Sequence, residues 1–358
     1  MRVVTVIGNR PQFVKAAAVS FRLRESADEV LVHTGQHYDA ELSQAFFDEL
    51  ELPRPEHRLD LGGGSNTEQT GRMLQALEPL LAGEEPDVVL VYGDTNSTLA
   101  GALAGAQARI PVAHVEAGMR SYDRSMPEEL NRVLADHASD LLLCSSAAPA
   151  ENLREERVQG EVVVVGDVMV DVAQLLAPRA RERTSVLEAC GVEPGAYLLA
   201  TAHRAGNVDD AGRLEKLVGL LCSMPDPVVL PLHPRTRSRL QAAGLLADLE
   251  REVRLVPPLG YLDFTALLVH ARAVLTDSGG VQKEAYLAGV PCVTLRDRTE
   301  WTETVRAGWN VVVGLDAGAA RDALERDIPA ERPPLYGDGR AGERVVQALL
   351  ALRERVAA

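Results

Sequence analysis

Short, nearly continuous apolar runs recur along this chain, each followed by a longer amphipathic segment. In the first half they are RVVTVIG, EVLVHTG, DVVLVYG, IPVAHVEAG, DLLLCS and EVVVVG. Runs of Val, Leu and Ile without polar alternation suit parallel strands covered on both faces. The separating segments, such as Asn96 to Arg109 and Pro127 to Ser139, carry helical spacing. The pattern is βαβα, which folds as an open, doubly wound parallel sheet. It then begins again, with AYLLATAH, DPVVLPLH, VRLVPP, RAVLTDSGG and VPCVTL. Between the two series lies the polar stretch APRARERTSVLEACGVEPGA, from Ala177 to Ala196, which reads as irregular. The expected fold class is α/β: two doubly wound Rossmann-like halves, residues 1–177 and 178–358, facing across a cleft. The last helix, about Gly339 to Arg355, can pack on either half. Ligands of such sheets bind beyond the carboxyl ends of the strands, so the strand ends are where chemistry is expected.

Charge and cysteine usage narrow the partners. The formal net charge of −15 over 358 residues argues against a general nucleic-acid surface and against an anionic membrane partner. An anionic small substrate is still compatible, because a few local cations suffice for it. No run approaches the roughly 18 apolar residues of a membrane span. The N-terminal run MRVVTVIGNRPQ is too short for a signal peptide and reads as a first strand. Cys144, Cys190, Cys222 and Cys292 are far apart and form no C-x-x-C pair, as expected for a cytoplasmic chain. His33 and His37 in HTGQH lack a carboxylate at helical spacing, so no metal is expected. GGGSN after Leu61 is not a dinucleotide fingerprint, which leaves a nicotinamide cofactor without a visible site.

Five strand ends carry candidate chemistry. In GNRPQFVK, Arg10 and Lys15 flank the opening of a helix, where free amides already favour an anion; an ordinary surface Arg and Lys is the plain alternative. In LTDSGGVQKEA, a strand ends at Asp277, and Ser278, Gly279 and Gly280 open a helix with bare amides and a hydroxyl, which suits a diphosphate. Glu284, further along that helix, can accept from two sugar hydroxyls. A Gly-rich turn that only packs a helix on a sheet is the competing reading. TAHRAGN places His203 at another strand end, able to donate to a phosphate or to serve structure alone. Asp94 in VYGDTNST, Glu116 in HVEAGMR and Glu128 in SMPEELNR put carboxylates at one mouth. Asp94 could simply cap the next helix, and Glu128 could close a capping box with Ser125. Glu116, at the end of a buried strand, has no such bland role. Like charges so close would repel, so at least one carboxyl is expected to stay protonated near neutral pH.

With GNRPQFVK, TGQHYD, YGDTNST, HVEAGMRS, PEELNR, TAHR, DSGGVQKEA and LRDRTEW in this order, the sequence resembles the non-hydrolysing UDP-N-acetylglucosamine 2-epimerases from about Arg2 to Leu349. The resemblance implies the two-half GT-B fold, a homodimer, a UDP-amino sugar substrate and no cofactor. It implies catalytic roles for Asp94, Glu116, Glu128 and His203, and substrate contacts at Arg10, Lys15, Arg132, Phe264, Ser278, Gly279, Gly280 and Glu284. It also implies a second, allosteric substrate site at Gln36, His37, Arg72 and His233. The family's route to inversion at carbon-2 is elimination of UDP to a 2-acetamidoglucal, then re-addition, which explains several carboxylates around one loop. Departures occur at Asn9, at Arg204-Ala205-Gly206-Asn207, at Thr299-Glu300-Trp301-Thr302-Glu303 and at His233-Pro234-Arg235-Thr236. A GT-B glycosyltransferase, a hydrolysing epimerase and a non-catalytic sugar-nucleotide sensor stay open as alternatives.

Overall fold

The protein is described here by a computed structural model that covers residues 1–36, 49, 52–124 and 126–356, without the side chains of Arg10 and Val356. The backbone divides into two compact units, residues 1–172 with 336–358, and residues 173–335.

The first unit is built on strands β1 (Arg2–Ile7), β2 (Asp28–His33), β3 (His57–Arg58), β4 (Val88–Tyr92), β5 (Val112–Val115), β6 (Leu141–Cys144) and β7 (Glu161–Val164). They form a seven-stranded sheet in the order β3-β2-β1-β4-β5-β6-β7. Every pairing is parallel. All five residues of β4 are buried, as a continuous apolar run at the centre of a covered sheet requires. The helix Asn96–Gln107 comes unusually near the sheet. A Cβ at Gly101 would lie 2.8 Å from Val91, and one at Gly105 2.8 Å from Val112. The last helix, Ala341–Val356, packs on the helix Arg10–Leu23 of the same unit. The carboxylate of Asp171 caps it, accepting from the Ala341 and Gly342 amides at 3.0 and 2.8 Å.

The second unit repeats the winding. Strands β8 (Leu198–Thr201), β9 (Val228–Pro231), β10 (Val253–Val256), β11 (Ala273–Thr276), β12 (Cys292–Thr294) and β13 (Asn310–Val312) form a parallel sheet ordered β10-β9-β8-β11-β12-β13. In each sheet the winding reverses beside the first strand: between β1 and β4, and between β8 and β11. Those switch points are where such sheets take ligands. The fold class is the α/β two-sheet class expected from the alternating runs.

Two details differ from the sequence reading. The edge strands β3 and β13 carry little apolar signal, His-Arg and Asn-Val-Val, and only pairing to a neighbour defines them. The stretch read as irregular holds the end of the helix Val168–Glu182 and the short helix Ser185–Cys190. Leu176, Ala180, Val186 and Leu187 are buried there, so tertiary burial overrides the Pro178 and arginine signals.

Candidate active site

At the switch point of the first sheet, β1 ends in Gly8-Asn9 and the helix Arg10–Leu23 begins. Asn9 is the N-cap and accepts from the Gln12 amide at 3.2 Å; Pro11 sits in the first turn. Buried Gln12 then ties three elements together. It accepts from the Gly8 amide at 2.7 Å, and donates to the Tyr92 carbonyl at 2.8 Å and to Thr98 Oγ1 at 3.0 Å. Residue Arg10 opens this helix, but its side chain lies outside the described part. Lys15, one turn on, reaches the end of β5 and pairs with Glu116.

Glu116 follows β5 with φ +68, a left-handed backbone that costs a non-glycine residue on the order of 1–3 kcal/mol. Gly93, which follows β4, also has positive φ, +64, and a Cβ there would lie 3.2 Å from Lys15 Nζ and 3.5 Å from Glu116 Oε2. A bare backbone at Gly93 therefore makes room for the ion pair. Burial alone would lower the Lys15 pKa; the Glu116 and Asp94 carboxylates, with Asp167, outweigh it and hold the ammonium above its ordinary 10.5.

Asp94 does not cap the next helix. Thr95 does, in a reciprocal box with Thr98. The Asp94 carboxylate instead meets Arg132 Nη2 at 2.5 Å. Asn131 donates to its backbone carbonyl at 3.0 Å. Asp94 thus has Arg132 and Glu116 has Lys15 as a cationic partner, which offsets the repulsion expected between these two carboxylates.

Glu128 is exposed on the first turn of the helix Pro127–Ala138. The capping-box alternative fails, because Met126 is the N-cap and Glu128 stands one position too early; Ser125 lies outside the described residues. Its neighbour Glu129 is the buried one. It accepts from the Ser121 amide and hydroxyl at 2.8 and 2.9 Å, from the Tyr122 amide at 2.9 Å and from Arg132 at 3.2 Å. Burial alone would raise the Glu129 carboxyl; those hydrogen bonds hold it below the ordinary range. Glu129 was missed in the sequence, where two adjacent glutamates gave no sign of which one folds inward.

Behind the carboxylates lies a buried ionic cluster that the sequence also left unread. His114 in β5 is 2.7 Å from Asp136 through Nδ1 and 2.7 Å from the Gly93 carbonyl through Nε2. Asp136 also pairs with Arg120 at 2.7 Å, and Arg120 with Glu156 at 2.7 Å.

The second unit carries the remaining candidates. Asp277, fully buried after β11, accepts from the His203 and Arg204 amides at about 3.1 and 3.0 Å and from Asn207 at 3.2 Å. It fixes the turn that leaves the His203 ring half exposed, with Nδ1 3.8 Å from Asp277. Ser278 is the N-cap of the helix Gly279–Ala288, accepting from the Val281 amide at 3.5 Å. The two glycines there differ. A Cβ at Gly279 would lie 2.6 Å from Glu300 Oε1, the end of a partly exposed side chain that can turn away; at Gly280 the nearest atom is 3.9 Å away. Glu284 lies on the same helix, and burial pushes its carboxyl up to about 7, against the pull of Lys283 and Tyr261. Phe264, on the helix Tyr261–His270, packs half-buried on the core of this unit.

Three of the four residues assigned to a second substrate site are described, and each has partners of its own. Gln36 accepts from the Ser97 amide and hydroxyl at 3.0 and 2.7 Å. Arg72 donates to the Gly62 carbonyl at 3.4 Å and to that of Gly63. His233 caps the helix Pro234–Ala242 in the second unit. His37 lies outside the described residues. His33 is buried, stacks on Phe13 at 5.0 Å, and is pushed down to about 4 by burial and by Arg58. Among the described residues, no group of three or more His, Cys, Asp or Glu side chains is arranged to hold a metal ion. Nor, among them, is any helix long and apolar enough to cross a membrane.

Comparison with known proteins puts this geometry in a family. Residues 20–350 match the family model described as UDP-N-acetylglucosamine 2-epimerase. The chain belongs to this family. It is therefore one of the isomerases that act on nucleotide sugars. Among its relatives is a UDP-N-acetylglucosamine 2-epimerase homolog of Methanococcus maripaludis, 44% identical over 98% of this chain and 99% of that one. Another is the UDP-2,3-diacetamido-2,3-dideoxy-D-glucuronate 2-epimerase of Pseudomonas aeruginosa, 46% identical over 98% of this chain and all (100%) of that one. The UDP-GlcNAc 2-epimerase of Methanocaldococcus jannaschii, solved with UDP-GlcNAc and UDP, superposes with a TM-score of 0.89 at 40% identity, covering 98% of this chain and 100% of that one. Within this epimerase family member, the Asn9 departure is accounted for locally, since Asn caps the first helix as Thr would.

Proposed function

We propose that this chain inverts carbon-2 of UDP-N-acetylglucosamine, giving UDP-N-acetylmannosamine, by eliminating UDP and adding it back across a 2-acetamidoglucal. The observation that carries this reading is the convergence of Asp94 and Glu116 at adjacent strand ends, each with its own cation. Removing a proton from one face of a carbon and returning it to the other needs two differently charged carboxyls. Asp94, paired with Arg132, is the base. Glu116 and Glu128 donate or position the proton on the other face.

In the same proposal, residues 1–177 carry the proton chemistry and residues 178–358 hold the nucleotide. Arg10, His203 and the Ser278 to Gly280 turn receive the departing diphosphate. Glu284 takes the ribose and Phe264 packs beside uracil. The chain acts as a homodimer in the cytoplasm, as the family resemblance implies. Gln36, His37, Arg72 and His233 form the effector site.

A second substrate is favoured by the Pseudomonas aeruginosa relative, which is named for a 2,3-diacetamido-2,3-dideoxy-glucuronate. The same carboxylates would serve there, since the inverted carbon is again carbon-2.

Incubation of the protein with each sugar nucleotide alone in heavy water, followed by NMR, separates these readings. Epimer with deuterium at carbon-2 supports elimination; epimer with that hydrogen fully retained rejects it. Release of free sugar would make the enzyme a hydrolysing one. Asp94→Asn, Glu116→Gln and Glu128→Gln should each slow turnover by about 100-fold or more, the scale of lost acid–base catalysis.

A further inference from the structure

His114 lies two residues before Glu116, and its ring is wholly buried. Both ring nitrogens face acceptors. Nε2 stands 2.7 Å from the Gly93 carbonyl oxygen, which cannot donate, so Nε2 carries a hydrogen. Nδ1 stands 2.7 Å from Asp136 Oδ1. The other oxygen of Asp136 accepts from the Gly118 amide at 3.1 Å and from Arg120 at 2.7 Å. A carboxylate so surrounded by donors is ionised, and burial, which would raise it, is outweighed by His114 and Arg120. Nδ1 must then donate as well.

The charge count agrees. With both nitrogens protonated, His114 and Arg120 balance Asp136 and Glu156. With a neutral ring, the four groups would carry one net negative charge, shared by buried Asp136 and partly exposed Glu156. The Cys144 thiol in β6 is pushed up to about 12 by burial, and His137 touches only Glu156, at 3.6 Å.

We propose that His114 is a doubly protonated positioning residue, which ties the end of β4, bearing Asp94, to the end of β5, bearing Glu116, through the Gly93 carbonyl. This rests on the reading of those two carboxylates as the proton-handling groups. The Gly93 peptide lies directly before Asp94 and under the Lys15–Glu116 pair, so its rotation would displace both carboxylates at once. A displacement near 1 Å is enough to cost about 100-fold in rate. A core histidine that is merely satisfied would instead contribute only stability.

Two substitutions separate the roles. The amide of His114→Asn reaches about the place of Nδ1 and keeps the donor to Asp136, but abandons Gly93. That of His114→Gln reaches about the place of Nε2 and keeps the donor to Gly93. The proposal expects kcat to fall by about 100-fold in the Asn variant and by less than about 10-fold in the Gln variant, with KM and UDP affinity nearly unchanged in both. Equal losses in the two variants, or losses that simply follow their melting temperatures, would overturn it. On the unaltered enzyme, NMR with 15N-labelled histidine should show one ring with both nitrogens protonated, absent from the His114→Gln spectrum. A bare nitrogen on that ring would also overturn it. If the enzyme turned over no UDP-amino sugar at all, the proposed function would fail, while the spectrum would still decide the protonation.

Discussion

Replacing Lys15 by Met tests the site most directly, because it removes one charge and keeps most of the apolar stem. Lys15 and Glu116 side chains are only 14% and 17% exposed, so solvent screens their attraction weakly. A cation in contact lowers a carboxylate's pKa by about 1–3 units. Taking about 2 units, the cation favours the ionised carboxylate by about 2.7 kcal/mol. Lys15→Met should therefore move the acid limb of the kcat/KM profile upward by about 2 units. On that limb, where rate falls tenfold per unit, the variant should run about 100-fold slower than the parent at the same pH. On the plateau only the loss of positioning remains. The pair's stabilising effect has a defined window. The Lys15 pKa is raised above its ordinary 10.5, so the lysine's contribution is complete at neutral pH and is lost as pH rises through the folded-state value. Lys15→Arg keeps the charge and should return the limb most of the way. Initial rates from pH 5 to 9, with thermal melts at each end, make the measurement. An acid limb that does not move in Lys15→Met would refute the claim that this lysine holds the catalytic carboxylates ionised.

Other expectations follow from the second unit and from the loop ahead of the first. Glu284 is raised from 4.5 to about 7, so the folded state binds the extra proton and its stability falls as pH rises between those values. Accepting two ribose hydroxyls needs the ionised form, so UDP binding should weaken about tenfold per unit below pH 7, and titration calorimetry should show this dependence flattened in Glu284→Gln. Gly280→Ala should leave the melting temperature unchanged or slightly higher, since Ala favours a helix by up to about 1 kcal/mol, while weakening UDP by about tenfold or more if the bare turn cradles phosphate. Unchanged UDP affinity in the Gly280 variant would return the turn to a packing role. If the effector site is kept, forward kinetics should be sigmoidal in UDP-N-acetylglucosamine, and Gln36→Ala should abolish that without altering UDP affinity; hyperbolic kinetics in the parent would leave Gln36 as the clamp on Ser97 that its hydrogen bonds describe.

The sequence by itself determined the layers and the winding. Continuous apolar runs such as Val88–Tyr92 can only be satisfied with both faces covered, and helical segments between them force parallel strands. It also marked the strand ends, because glycines and carboxylates stand out against a Val and Leu background, as Gly93-Asp94 and Glu116 do. The short edge strands and the helix across residues 177–182 were not legible, because pairing or burial rather than local pattern defines them. Nor were the partners of the site. Asp94 meets Arg132 and Lys15 meets Glu116 across separations of 38 and 101 residues. No local periodicity records such pairs. Of two adjacent glutamates, Glu129 turns inward and Glu128 outward, because neighbours on a helix point about 100° apart and only the docking of the helix on its sheet decides which direction is inside. The proton on His114 is the furthest from the sequence. It follows from a carbonyl on one strand and a carboxylate on a helix, brought to opposite sides of one ring by the tertiary fold.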